Sequence, residues 1–233
     1  MGILYIVPTP IGNLQDITFR AIEILSQVGF IACEDTRRTG KLLQLLRESH
    51  TLHTRTNLQL LSYYEQNEQQ RIPEIITVLK NDFNVVLVSD AGTPLISDPG
   101  FKLVRTCHEE GITVTALPGA SSVIVALASS GLPSDKFFFL GYPPHKSGHR
   151  KAFFENLQKS AKILSTTYIL FEAPHKLKNT LAEINDALGD MQIVICRELT
   201  KMHEEIWKGS IREAQEKYNK QTPKGEFVLL FHL

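Results

Sequence analysis

The sequence predicts an α/β fold in two compact lobes, and three observations carry that prediction. Short apolar runs alternate with segments whose apolar residues recur at helical spacing, as strands interleaved with covering helices do. Several runs are apolar at every position, Val85 to Val88 most plainly, which suits strands covered on both faces. Near Pro118-Gly119 the pattern changes: alternating units give way to a small-residue apolar stretch, Ala120 to Gly131, and then to the aromatic run Phe137-Phe138-Phe139.

In chain order, strands are predicted at Ile3 to Val7, Leu60 to Tyr64, Val85 to Val88, Ile112 to Leu117, Phe137 to Leu140, Ile169 to Phe171, Ile193 to Cys196 and Phe227 to Phe231. Ile72, Ile75, Ile76 and Leu79 form a helical stripe at i, i+3, i+4 and i+7, and Leu177, Leu181, Ile184 and Leu188 form a second. Ser210-Ile211-Arg212-Glu213 has the spacing of a capping box opening a late helix. Ala120 to Gly131 reads as a helix buried between the two halves. That places the boundary at 117/118 and gives an N-terminal α/β domain, 1–117, and a C-terminal one, 118–233, each a usual size for such a unit. Ser49 to Gln70 is polar and rich in Gln and Asn, and is expected to be a mobile loop around its short strand.

Composition narrows the function classes. With 42% hydrophobic and 21% charged residues in 233, the chain can bury a substantial core and is not expected to be disordered. No apolar run is long enough to span a bilayer, and Met1 to Tyr5 has neither the basic region nor the apolar stretch of a secretory signal. Cys33, Cys107 and Cys196 are widely spaced and form no Cys-x-x-Cys pair, so a cytoplasmic chain with reduced thiols and no metal site is expected. Twenty-five basic residues balance twenty-five acidic ones, which argues against coating nucleic acid by bulk charge. Any RNA contact must be local, and the densest basic stretch is His145 to Lys151. Lys146, Arg150 and Lys151 there are candidate phosphate contacts; a solvated loop running into a helix explains them equally well.

Four loops follow strand ends, where ligands bind in open α/β sheets. Pro8-Thr9-Pro10-Ile11-Gly12 is stiffened by two prolines. Ser89 to Gly100 holds two carboxylates, three hydroxyls, two prolines and two glycines; Asp98-Pro99 at its end looks like an N-cap followed by proline at the first helical position. Pro118-Gly119-Ala120-Ser121-Ser122 offers a serine cap for the apolar helix. Phe171-Glu172-Ala173-Pro174-His175-Lys176 gathers three titratable groups beside an apolar strand, with Pro174 suited to a helix start. Gly-x-Gly-x-x-Gly, P-loop, His-Glu-x-x-His and Gly-x-Ser-x-Gly patterns are all missing, which disfavours dinucleotide, NTPase, metalloprotease and serine-hydrolase readings.

Seven blocks in order, Val7 to Leu14, Glu34-Asp35-Thr36-Arg37, Ser89 to Gly100, Leu117-Pro118-Gly119, Gly131 to Asp135, Phe171 to His175 and Arg197 to Lys201, carry a family resemblance. The chain resembles the small-subunit ribosomal RNA methyltransferases of the tetrapyrrole-methylase superfamily. That resemblance implies a two-domain tetrapyrrole-methylase-like fold and a homodimer. It also implies S-adenosylmethionine bound in the cleft between the domains and 2′-O-methylation of a cytidine ribose in 16S ribosomal RNA, within the 30S subunit. It assigns cofactor contacts to Ile11, Gly92, Thr93, Ile96, Ser121, Ser122, Phe171, Lys224 and Gly225.

Methylation of a hydroxyl needs a group that takes its proton. Glu34, Asp35, Glu172, His175, Glu198 and Lys201 are the candidates, and the sequence does not choose among them. Arg37 and Arg197 suit phosphate or ribose positioning through paired guanidinium hydrogen bonds. Salt bridges Asp35/Arg37 and Arg197/Glu198 are equally good accounts. Two other functions fit the same pattern: a methyltransferase for a tetrapyrrole or other small molecule, and a non-catalytic adenosyl-binding ribosome-assembly module.

Overall fold

In the computed structural model, which describes residues 1–49 and 57–233, the chain divides into two compact units, Met1–Ser121 and Ser122–Leu233. The first unit runs β1 (Leu4–Ile6), a short 3-10 turn (Leu14–Asp16), α1 (Phe19–Gln27), β2 (Phe30–Cys33), α2 (Thr36–Glu48), β3 (Gln59–Ser62), α3 (Glu68–Lys80), β4 (Val85–Val88), α4 (Phe101–Glu109) and β5 (Val114–Ala116). Its strands form one parallel sheet in the order β3-β2-β4-β1-β5.

Side chains alternate across a strand, so a strand between two helical layers must be apolar at both parities. β4 shows this directly. Val85 and Leu87 pack with Ile75, Leu79, Leu103 and Cys107 of α3 and α4, whereas Val86 and Val88 pack with Ala21, Leu25, Leu43 and Leu46 of α1 and α2. β2 was not expected from the sequence. Its Phe-Ile-Ala-Cys run follows α1 so closely that its apolar residues continue the helical stripe of Ile24, Leu25 and Val28. Of the Ser49 to Gln70 stretch, residues 50–56 lie outside the described residues; the remainder holds β3 and the start of α3, with Tyr63 and the first helical residue, Glu68, buried.

The second unit runs α5 (Ser122–Ser130), β6 (Phe137–Phe139), α6 (Ser147–Ala161), β7 (Thr167–Glu172), α7 (Leu177–Leu188), β8 (Gln192–Arg197), β9 (Glu205–Ser210), α8 (Ile211–Asn219) and β10 (Phe227–His232). Its mixed sheet has the order β6-β7-β10-β8-β9, with β6 parallel to β7 and the other neighbours antiparallel. α7 packs between α6 and α8, placing Leu177, Leu181 and Ile184 in a core with Ile193, Ile195, Leu229 and Phe231. The capping box is formed: the Glu213 amide donates to Ser210 Oγ at 3.2 Å, and the Ser210 amide donates to the Glu213 carboxylate at 2.7 Å. β9 escaped the sequence reading because Glu-Ile-Trp-Lys-Gly-Ser is an edge strand of mixed polarity.

α5 packs on β8, β9 and β10 of its own unit, and Ile124 on it is half exposed. Pro118 to Ser121 stay with the first unit, so the division lies four residues beyond the expected 117. The cause is local: a Cβ on Gly119 would lie 2.6 Å from the Pro8 ring, and Thr93 Oγ1 donates to the Ala120 carbonyl at 2.9 Å.

Candidate active site

Every parallel strand of the first unit points its C-terminal end the same way, so the loops after β1, β2, β3, β4 and β5 share one edge of the sheet. The loops after β1 and β4 are locked by a two-residue antiparallel bridge: the Thr9 amide donates to the Gly92 carbonyl at 2.9 Å, and the Gly92 amide returns the bond at 3.0 Å. Thr9 Oγ1 donates to the Ser89 carbonyl beneath them. Gly92 has φ +81°, and a Cβ there would come within 3.3 Å of Ile11 Cγ2. Through Thr93 and Ala120 the loop after β5 joins the same lock. The structure therefore brings Ile11, Gly92, Thr93 and the Ala120-Ser121 segment together.

The β4 loop is also strained. Leu95 and Ser97 adopt φ of 74° and 65°, the left-handed region that costs an L-residue about 1–2 kcal/mol. Such outliers persist where surrounding structure holds them, and they concentrate at functional sites. The loop ends at Gly100, φ +138°, which is the N-cap of α4. The reading of Asp98 as the cap is corrected: Asp98 and Pro99 lie inside the loop, two residues and one residue before that cap.

Beside this lock stands an acidic group. Asp90 accepts from the Asp35 amide at 3.2 Å and pairs with Arg38 at 3.1 Å, tying the β4 loop to the start of α2. Burial, reinforced by the neighbouring Asp90 and Asp98 charges, raises the Glu34 carboxyl above the ordinary glutamate range. Burial likewise raises Asp98. Asp35 moves the other way. Its side chain caps α2 and accepts both Arg37 Nε at 3.0 Å and Arg37 Nη2 at 2.8 Å, so its carboxyl falls to about 2. No lysine or arginine occurs in residues 8–14, 89–100 or 118–121, so the bridged loops favour a neutral or positively charged ligand over a pyrophosphate. An adjoining cavity of 410 Å³ is lined by Glu34, by Tyr64 to Gln66 and Glu68 after β3, and by Ser97 to Lys102.

The second unit has its own loop lock. The Glu198 amide donates to the Glu226 carbonyl, and the Glu226 amide donates back to Glu198 Oε1 at 2.8 Å. Lys201 Nζ bridges the Glu198 and Glu226 carboxylates at 3.0 Å each, and Arg197 Nε donates to the Lys224 carbonyl at 2.6 Å. Gly225, φ +96°, is required because a Cβ would lie 2.6 Å from Glu198 Cγ. Glu198 and Thr200 are again non-glycine residues at positive φ. Burial opposes the charged form of Glu198, but the Glu226 amide and Lys201 outweigh it and its carboxyl ends below the ordinary value. For Lys201, burial is likewise overcome by the two carboxylates, which hold the ammonium protonated.

The remaining candidates divide cleanly. Glu172 is buried, with its two oxygens accepting from the Ala173 amide and the Thr180 hydroxyl, so it braces the start of α7. Pro174 and exposed His175 occupy the turn before that helix, whose first residue is Leu177. Phe171 stacks edge-on with Phe139 and Tyr142. Lys146 and Lys151 are exposed at the start of α6, but Arg150 is a correction: it is 6% exposed and forms a two-pronged ion pair with Glu183 of α7, which removes it from any RNA surface. The sequence reading missed Asp90 and Arg38 as the link between loops; a carboxylate in a Gly/Pro-rich strand-end loop was the available signal.

A parallel sheet with bridged strand-end loops, joined in sequence to a mixed five-stranded unit, defines the class. The chain belongs to the tetrapyrrole (corrin/porphyrin) methylases, whose family model matches residues 3–215. Solved structures share the fold. A cobalt precorrin-4 methyltransferase of cobalamin biosynthesis superposes with a TM-score of 0.65 at 17% identity, over 98% of this chain and 94% of that one. A uroporphyrin-III-C-methyltransferase from Thermus thermophilus gives 0.62 at 15%, over 99% and 94%.

Far higher identity is found to proteins named ribosomal RNA small subunit methyltransferase I. That of Hydrogenobaculum sp. (strain Y04AAS1) is 47% identical, covering 97% of this chain and 94% of the relative. That of Thermotoga maritima is 43% identical, covering 99% and 98%.

Proposed function

We propose that this chain is an S-adenosylmethionine-dependent methyltransferase that modifies the 2′-hydroxyl of a cytidine in small-subunit (16S) ribosomal RNA. The observation that carries the cofactor part is the bridged edge of the first unit, where backbone amides, Ile11 and nearby carboxylates meet with no lysine or arginine in the bridged loops. Such a setting suits a ligand bearing a positive sulfonium and an uncharged nucleoside. The RNA part is supported by relatives of 43–47% identity that carry a ribosomal RNA methyltransferase name.

When bound, S-adenosylmethionine supplies a methyl group already activated for displacement. Ile11, Gly92, Thr93, Ile96 and Ser121 are the proposed contacts from the first unit, and Ser122, Phe171, Lys224 and Gly225 those from the second. Glu34 takes the hydroxyl proton on its carboxylate: it lines the cavity beside the bridged loops, and burial with the neighbouring Asp90 and Asp98 charges raises its pKa. Asp35 is too acidic for that role, Glu198 is tied to Lys201, and Glu172 is spent on the start of α7. Arg37, Lys146 and Lys151 provide phosphate contacts. Arg197 acts through the Lys224 carbonyl, as a positioning residue.

The proposed setting is the cytoplasm, as a homodimer acting on the 30S subunit. Among the described residues, no helix is long and apolar enough to cross a membrane and no His/Cys/Asp/Glu group is arranged to hold a metal. The test is incubation with methyl-labelled S-adenosylmethionine and 30S subunits, naked 16S RNA or a tetrapyrrole precursor, followed by mapping of the label. Label on a cytidine ribose is the expected result. Label only in the precursor, or cofactor binding without transfer, overturns the proposal.

A further inference from the structure

We propose that the 410 Å³ cavity beside Glu34 is a nucleobase subsite that selects a base carrying an exocyclic amine. This rests on the reading above that the chain methylates RNA. The cavity volume lies in the range of small-ligand sites. Its walls come from three segments that follow strands of the first unit: Glu34 after β2, Tyr64 to Gln66 and Glu68 after β3, and Ser97 to Lys102 after β4. Two aromatic side chains at its rim, Tyr64 and Phe101, are 39% and 67% exposed. A large aromatic ring left in water at the mouth of a pocket is unfavourable unless something stacks on it, and unpaired RNA bases bind by stacking in this way.

The polar lining sets the choice of base. Its cation, Lys102, is neutralised by Glu68 at 2.6 Å, and the other oxygen of Glu68 accepts from the buried Tyr63 hydroxyl. Apart from Tyr64 at the rim, the other polar side chains are the carboxylates of Glu34, Glu65 and Asp98, which only accept, and those of Gln66 and Ser97, which both donate and accept, so acceptors outnumber donors. Among the described residues, neither the Glu34 nor the Glu65 carboxylate makes a hydrogen bond. A carboxylate can only accept, so it pairs with an amino group and meets a carbonyl oxygen with repulsion. Cytosine and adenine present that amine at the position where uracil presents a carbonyl. Since Glu34 lines the same cavity, a base seated there brings its own ribose close to the proposed proton acceptor, so the base being read is that of the acceptor nucleotide.

The test uses the full-length protein and reconstituted 30S subunits in which the cytidine labelled by the wild type is kept or replaced by uridine. The wild type is expected to prefer cytidine by about tenfold or more in kcat/KM, the discrimination of a good base-edge contact. Glu65→Gln supplies a donor as well as an acceptor and should bring that ratio towards one. Tyr64→Ala should raise KM for the subunit at least fivefold with kcat little changed. Both positions are exposed and outside the β1 and β4 loops, so S-adenosylmethionine affinity by calorimetry should stay at the wild-type value. Equal labelling of cytidine and uridine subunits by the wild type overturns the subsite alone. So does a ratio and KM unmoved by either substitution. No label in any subunit overturns the RNA reading and this inference with it.

Discussion

Alanine in place of Gly92 strikes the bridge between the β1 and β4 loops. The residue sits at φ +81°, where an L side chain costs about 1–2 kcal/mol. Relaxation to a negative φ is blocked because the Gly92 amide and carbonyl are both held by Thr9. The new Cβ would also stand 3.3 Å from Ile11 Cγ2, and Ile11 is buried, so crowding adds about 1 kcal/mol. The sum, about 2–3 kcal/mol, corresponds to a melting-temperature loss of about 5–10 °C in a chain of this size. If the same geometry holds the methyl donor, affinity should fall by about tenfold or more, since each tenfold is about 1.4 kcal/mol. Differential scanning calorimetry and titration calorimetry measure the two effects. Gly29→Ala is the control, because a Cβ there meets nothing within 4 Å and should change stability by no more than about 0.5 kcal/mol. A Gly92→Ala protein as stable as the control, with undiminished affinity for S-adenosylmethionine, would refute the reasoning.

Other substitutions probe the charged groups. Glu34→Gln should lower the methylation rate by about 10²–10⁴, and the wild-type rate should rise with pH through a midpoint above the ordinary glutamate value. In stability the same raised pKa works in the opposite sense: folded Glu34 holds its proton more tightly than the unfolded chain, so its contribution is complete below the unfolded pKa and is lost as pH climbs through the folded one. Asp35 has a lowered pKa, so its stabilisation is present above 3.8 and disappears as pH falls towards 2; thermal melts across that window should flatten in Asp35→Asn, which keeps the helix cap but loses the charge. Arg150→Ala should cost about 2 kcal/mol through loss of its charge-assisted pair with Glu183, whereas Lys146→Ala with Lys151→Ala should leave melting unchanged and reduce the salt dependence of RNA binding. Filter binding and melts separate the two. Arg37→Ala should reduce RNA methylation without altering cofactor affinity, while Arg197→Ala, by releasing the Lys224 carbonyl, should weaken cofactor affinity as well; equal calorimetric constants for both variants would contradict that division.

Much of the architecture is visible in the residue pattern because burial imposes a period. β4 is apolar throughout since it is covered on both faces, and α3 and α7 carry one stripe each since they are covered on one. β2 and β9 were missed for opposite reasons. β2 is apolar but continues the stripe of α1, and β9 is a sheet edge whose polar residues suppress the alternation. The strand-end loops could be found from their Gly and Pro content. Their hydrogen bonds could not, because Thr9 to Gly92 and Glu198 to Glu226 join residues far apart in the chain.

The alternation of apolar strands with striped helices, the strand-end loops and the family resemblance were legible in the sequence itself, since each depends on neighbours within a few residues or on motif order. Which charges are spent on structure was decided by tertiary contact alone. Arg150 and Lys151 are adjacent and chemically alike, yet one is buried on Glu183 and the other lies in water, because the packing of α6 on α7 chooses between them. Glu34 and Asp35 are likewise adjacent carboxylates, and their pKa values diverge because Arg37 reaches only the second while burial and the Asp90 and Asp98 charges act on the first. Protonation follows the three-dimensional arrangement of charge and solvent, which sequence spacing does not encode.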